Sequence, residues 1–198
     1  MREIMSNLHK NGFETIEVQN AAQALEVAKS FVKPNISVGL GGSTTVSQIG
    51  LLEWLIKNRE IELFNQYEQG IDMEENLQRR RKGLLSDLYI TSSNAVTIEG
   101  ELVNVDGDGN RVAAQIFGPK KVLLIVSKNK IVKSIDEGFK RIKNRVIPKN
   151  VKRMNDKLLS MGKEPHYNAD NIANKYTVIN GDKPGRTTII FVDEELGF

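Results

Sequence analysis

The residues best suited to chemistry crowd into the stretch Thr91–Arg111, TSSNAVTIEGELVNVDGDGNR, between two apolar segments. Ser92, Ser93 and Asn94 follow the apolar run Leu88-Tyr89-Ile90 after a single Thr91 and present neutral hydrogen-bonding groups. Asn110 and Arg111 stand where the flexible loop Asp106-Gly107-Asp108-Gly109 meets a helix start. A guanidinium at such a place offers a planar fork that matches a carboxylate or a phosphate. The competing role for this pair is structural, with Asn110 capping the helix and Arg111 pairing with Asp106 or Asp108. Glu99-Gly100, flanked by Ala95–Ile98 and Leu102–Val105, suits the tip of a hairpin whose turn requires φ > 0.

A second candidate is the run Gly39-Leu40-Gly41-Gly42-Ser43-Thr44-Thr45, set between the strand Ile36-Ser37-Val38 and an amphipathic helix over 46–58. Gly39, Gly41 and Gly42 allow the backbone to approach an anion, Ser43 and Thr44 carry hydroxyl donors, and a helix N-terminus adds partial positive charge. The run is not a P-loop, because no lysine follows the glycines, and it is not the dinucleotide fingerprint, whose third glycine would fall at Thr44. A plain strand-to-helix turn with a Ser or Thr cap is the alternative. Lys128 and Lys130, just after the apolar run Lys121–Val126, add point charge or serve as ordinary surface lysines.

The elements that must hold these residues follow from the hydrophobic pattern. Helices are expected over 1–12, 21–31, 46–58, 72–85 and from Asn110 to Phe117, and another carries Phe139, Ile142 and Val146 until Pro148 ends it. Strands are expected over 13–18, 36–38, 61–64, 88–90 and 121–126, with Ile131-Val132 a short continuation. A short helix over 151–160 precedes an irregular surface segment, and 176–179 and 187–192 close the chain as a strand pair around Asn180–Gly185. Strands alternating with helices predict an α/β fold, a three-layer Rossmann-like and mostly parallel sheet with an inserted β-hairpin and a C-terminal strand pair. Loops at the carboxyl ends of its strands would bring the 39–45 run, the 92–111 stretch and Lys128-Asn129-Lys130 into one pocket.

Composition narrows the classes. The 198 residues suit one main domain, and no apolar run approaches the ~20 residues of a membrane span, so a soluble, cytoplasmic protein without membrane contact is expected. There is no cysteine, and His9 and His166 lie far apart, so no thiol chemistry, disulfide or metal site is expected. The net charge is +3, and the basic runs Arg79–Lys82 and Lys140–Lys152 lack interleaved aromatics, so nucleic acid is not an expected partner.

The segments SSNAVT, EGELVNVDGDGNRVAAQIFGPKKV, SKNKIV and GRTTIIFVDEELGF resemble the LUD (lactate utilization) domain family over residues 1–198. The resemblance implies a fold like glucosamine-phosphate isomerases, ribose-phosphate isomerase A and CoA transferases. It also implies assistance in oxidising lactate to pyruvate beside iron–sulfur and FAD oxidoreductase partners, with a small anionic metabolite bound and no cofactor in this chain; a homo-oligomer is compatible with it. Because CoA transferases of this fold use a glutamate as nucleophile on a carboxylate, Glu99 becomes the catalytic candidate, and a stand-alone enzyme of CoA-transferase or sugar-phosphate-isomerase type is an alternative. A non-catalytic interaction or regulatory module is another. Many relatives carry a cysteine-rich stretch where this chain reads KRMNDKLLSMGKEPHYNADNIANKY, so any cluster held there by relatives is not expected here. GLGGSTT is also similar to the phosphate loop of ribose-phosphate isomerase A, shortened by one residue, but the acids such an isomerase needs after its next core strand are replaced by Tyr89–Asn94.

Overall fold

Residues of alternating orientation give each central strand two apolar faces, and these faces organise the layers. A computed structural model describes residues 1–198. In chain order it contains α1 (Arg2–Lys10), β1 (Glu14–Val18), α2 (Ala21–Ser30), β2 (Ser37–Leu40), α3 (Thr44–Gln48), α4 (Leu51–Lys57) and β3 (Glu62–Phe64). There follow α5 (Met73–Gly83), β4 (Leu88–Thr91), β5 (Ala95–Thr97), β6 (Leu102–Asp106), α6 (Asn110–Ile116) and β7 (Lys121–Ser127). After a 3-10 turn at Lys128–Lys130 come β8 (Ile131–Val132), α7 (Ile135–Arg141), a π-helical turn (Ile142–Val146), α8 (Ile147–Ser160), α9 (Ala169–Ile172), β9 (Lys175–Ile179) and β10 (Thr187–Val192).

Six strands form a wholly parallel sheet in the order β1-β10-β7-β4-β2-β3. One face, with Leu88, Ile90, Leu123, Ile125 and Ile190, packs against Ala24 and Ala28 of α2 and Leu51 and Leu55 of α4. The other, with Tyr89, Leu124, Ile189 and Phe191, packs against Ile4 and Leu8 of α1 and Ala114 of α6. Both faces being covered explains why β7 reads as an unbroken apolar run.

The inserted hairpin forms as expected. β5 and β6 pair antiparallel, and Gly100 takes φ 91° at the turn. It grows into a second, mixed sheet, β8-β5-β6-β9. Val96 and Leu102 face the parallel sheet, while Ala95, Val103 and Val105 meet Ile142, Val146, Ile147 and Ile172 beyond.

Three local readings are corrected. The helix over 46–58 is two helices, because Gly50 turns the chain at φ 79° between α3 and α4. Pro148 does not end the preceding helix. It sits in the first turn of α8, directly after a π turn that carries the helical backbone on from α7, and that wider turn accommodates the proline. Both closing strands form, yet they do not pair with each other: β9 joins β6, and β10 inserts between β1 and β7.

Gly39 lies within β2, where a methyl group would stand 2.7 Å from the Gly83 carbonyl oxygen and 2.7 Å from Tyr89 Cδ2. It serves the close packing of α5 on the sheet, not the anion loop. Gly39→Ala is expected to destabilise the protein by about 1–3 kcal/mol, the usual cost of overpacking. Urea unfolding would detect this as a lower midpoint at unchanged slope.

Candidate functional site

β7, β4 and β2 are neighbours, so the loops at their carboxyl ends meet. They are Lys128–Lys130, Ser92–Asn94 and the glycine loop. With the start of α6, the segment after β3, and α8 and α9 from the far side, they enclose a cavity of about 500 Å³. Gly42, Ser43, Thr44, Ser92, Ser93, Asn94, Asn110, Arg111 and Lys130 all line it.

The glycine loop is held by its carbonyls. Gln66 Nε2 donates to Leu40 O at 2.7 Å, and the Tyr67 hydroxyl donates to Gly41 O at 3.3 Å. Ser43 Oγ accepts from Val46 N at 3.1 Å and so caps α3, while the N–H groups of Gly42 and Ser43 have no backbone partner. Gly41 is buried, and a methyl group on it would lie 2.5 Å from Thr91 Oγ1 and 3.0 Å from Arg111 Cγ. Its role is to let β4 and Arg111 approach.

Arg111 is buried, and its guanidinium is committed to the protein. Nη1 donates to Ser92 O at 3.0 Å and Asn104 Oδ1 at 2.9 Å, and Nη2 donates to Asn94 Oδ1 at 2.8 Å and Val105 O at 2.6 Å. The carboxylates offered by the sequence go elsewhere. Asp106 Oδ2 accepts from the backbone N–H of Arg111 at 3.0 Å and of Val112 at 3.3 Å, so Asp106 caps α6, and Asp108 pairs with Arg80. Asn110 is therefore not the cap; its Nδ2 donates to the Tyr89 hydroxyl at 3.5 Å. Arg111 thus works first as a clamp that fixes Ser92–Asn94 to β6. Its fork is not free to take a second bidentate partner.

The two lysines of the 3-10 turn part company. Lys128 is exposed and lies 3.1 Å from Asp193, outside the cavity. Lys130 is 3% exposed, and its Nζ donates to Thr45 Oγ1 at 2.7 Å and Ser92 Oγ at 2.9 Å. No Asp or Glu carboxylate comes within 4.0 Å of Lys130, Arg111, Arg141 or Arg145. Burial, reinforced by Arg141, Arg111 and Arg145, pushes the Lys130 ammonium down to about 7. Arg141 Nη1 donates to Asn94 O at 2.7 Å, so it braces the same loop from behind.

Five cationic side chains line the cavity, Arg80, Arg111, Lys130, Arg153 and Lys157, against the carboxylates of Asp106 and Asp108. Both carboxylates are already engaged. Glu99 is not brought to the site. It is exposed at the hairpin tip beside α1, where Asn11 Nδ2 donates to its carbonyl at 3.1 Å. A nucleophile there would act on nothing held in the cavity, so the structure leaves it turn chemistry alone.

The sequence reading left out Thr45, Gln66, Tyr67, Arg153 and Lys157. Thr45 belonged to the recognised loop, and its place beside the first helical turn was the available signal. Tyr67, whose phenol burial pushes up, follows a three-residue strand and an Asn-Gln pair that carry no motif. Arg153 and Lys157 reach the cavity only because α8 folds back over it.

A protein-family model described as the LUD domain matches residues 1–192. Among solved structures, the chain is similar to a DUF162 family protein from Deinococcus radiodurans, with 16% identity, a TM-score of 0.54, and 97% of this chain and 95% of that one covered. At that identity the likeness is one of fold. A search of curated proteins returned no match. The match over nearly the whole chain, on the fold found here, places this protein in the LUD domain family.

Proposed function

We propose that this protein is a lactate-utilization-type protein that binds a small carboxylate or phosphorylated metabolite in the cavity at the carboxyl ends of β2, β4 and β7. The observation that carries the reading is the buried Lys130 amine, held by Thr45 and Ser92, facing the cavity and lacking any carboxylate partner. Burying an amine among arginines is costly, and an anion in the cavity would offset that cost by restoring the charged form. The Gly42 N–H group and the cations Arg153 and Lys157 add attraction for the same charge. Within this reading the redox step of lactate oxidation lies with FAD and iron–sulfur partner proteins, and this chain supplies the binding pocket.

A CoA-transferase-like reaction loses its support once Glu99 is away from the cavity. A role as an interaction module without a ligand would leave the unpaired cations unexplained.

The test is a thermal-shift series with lactate, pyruvate and inorganic phosphate at pH 6.5 and pH 9. A ligand selective for the folded state raises its stability. Binding of an anion is expected to raise the Tm, and to do so more at pH 6.5, where Lys130 is largely protonated, than at pH 9. Absence of any shift with all three at both values would remove the pocket reading.

A further inference from the structure

The anion pocket leaves one property of Lys130 unused. A solvated ammonium on the rim would serve charge attraction equally well, yet here the amine is placed within the protein, at the cavity wall, between two hydroxyls. Resting on the pocket reading, we infer that Lys130 is a nucleophile that captures the carbonyl carbon of a small anionic carbonyl compound, a 2-oxo acid or a sugar phosphate, as an imine.

The geometry carries the argument. Ser92 Oγ donates to Ser93 O at 3.2 Å and so accepts from Lys130 Nζ. The Thr45 hydroxyl, 2.7 Å from Nζ, has no other hydrogen-bonded partner and is free to exchange protons with it. One tetrahedral direction of the nitrogen is left without a hydrogen-bonded protein partner. A carboxylate that would hold the ammonium charged is missing, and the surrounding cations, Arg111, Arg141 and Arg145, favour the neutral amine. A buried, desolvated lysine beside other cations is the environment in which an amine becomes a nucleophile near neutral pH. Arg153 and Lys157, the cavity cations without a carboxylate partner, offer the negative end of the substrate a place of its own, so that the carbonyl rather than the charge meets the amine.

The step balances. The Nζ lone pair forms a C–N bond while the carbonyl π pair moves onto oxygen. The two N–H protons pass to that oxygen, with the Thr45 hydroxyl placed to relay one of them. The C–O bond breaks, water leaves and a C=N bond remains; one solvent proton converts the imine to the iminium.

The experiment is borohydride trapping of the intact protein with pyruvate in one arm, glyceraldehyde 3-phosphate in another and lactate, which has no carbonyl, in a third, followed by peptide mapping of the wild-type chain. Reduced adduct at Lys130 is expected in at least one carbonyl arm, exceeding that on any surface lysine, Lys128 included, by about tenfold or more, as the larger neutral fraction of a lysine with a lowered pKa demands. The two carbonyl arms separate a 2-oxo acid from a sugar phosphate. Lys130→Met should lose that adduct while retaining background labelling elsewhere. Mapping the wild type locates the adduct even if the variant folds poorly. Labelling spread over surface lysines, or no labelling while the thermal-shift series shows pyruvate and lactate binding alike, would overturn the imine and leave the anion pocket standing. Absence of both labelling and binding would overturn the two together.

Discussion

Replacing Arg111 with alanine is expected to destabilise the protein by about 3 kcal/mol, because four acceptors, three of them buried, lose a charged donor at once. Two of those acceptors are carbonyls, Ser92 O and Val105 O, and two are side-chain amides, Asn94 Oδ1 and Asn104 Oδ1. The loss is held below the sum of four charged hydrogen bonds because neighbours remain. Gln115 Nε2 still donates to Ser92 O at 3.2 Å, Asn94 N to Asn104 Oδ1 at 3.0 Å, and Val105 N to Asn94 Oδ1 at 2.9 Å. Arg111→Lys should recover little, since one ammonium on a flexible stem cannot span both pairs of acceptors. Urea unfolding of the three proteins is the measurement. If Arg111 served only to grip a ligand, the alanine variant would keep wild-type stability in the absence of ligand.

Lys130→Met is expected to act in the opposite sense near neutral pH. In the unfolded chain this lysine keeps its proton up to the ordinary value of 10.5, whereas in the folded protein it gives it up at about 7. Between those values the unfolded state binds more protons, so raising the pH favours folding. Below about pH 7 the penalty for the buried charge is fully present, and it is relieved as pH rises toward 10. Each unit of that window is worth on the order of 1 kcal/mol. The wild type should therefore gain stability on going from pH 7 to pH 10 by a component that the methionine variant lacks, and the variant should be the more stable protein at pH 7. Arg111, Arg141 and Arg145 surround position 130 in both proteins, so the difference between the two pH profiles isolates Lys130. Parallel profiles would show that the lysine stays charged.

Much of this arrangement was legible in the sequence because strand ends of an α/β sheet gather their loops. The apolar runs at Leu88–Ile90 and Lys121–Val126 located two strand ends, and the residues just beyond them do line the cavity. What side chains do at close range was less legible. Lys128 and Lys130 look alike in sequence, and only the 3-10 turn decides that one meets solvent and Asp193 while the other turns inward. Arg111 and the acids near it look like a ligand clamp or an ion pair. The fold instead gives the guanidinium to amide and carbonyl oxygens, and gives Asp106 to the helix N-terminus. Glu99 was attractive by fold analogy, but the hairpin tip, one strand beyond the end of β4, lies outside the pocket the strand ends build. The rim cations of α8 were hidden because nothing local announces that a surface helix closes over a distant loop.

The central claim, that Lys130 marks an anion pocket, is tested most directly by calorimetric titration with lactate at pH 8, run in two buffers of different ionisation enthalpy on the wild type and on Lys130→Met. An anion that restores the ammonium must draw a proton from the buffer, so the account predicts binding with uptake of about one proton in the wild type and none in the variant. Binding of equal strength and equal proton count in both proteins, or no heat of binding in either, would contradict it.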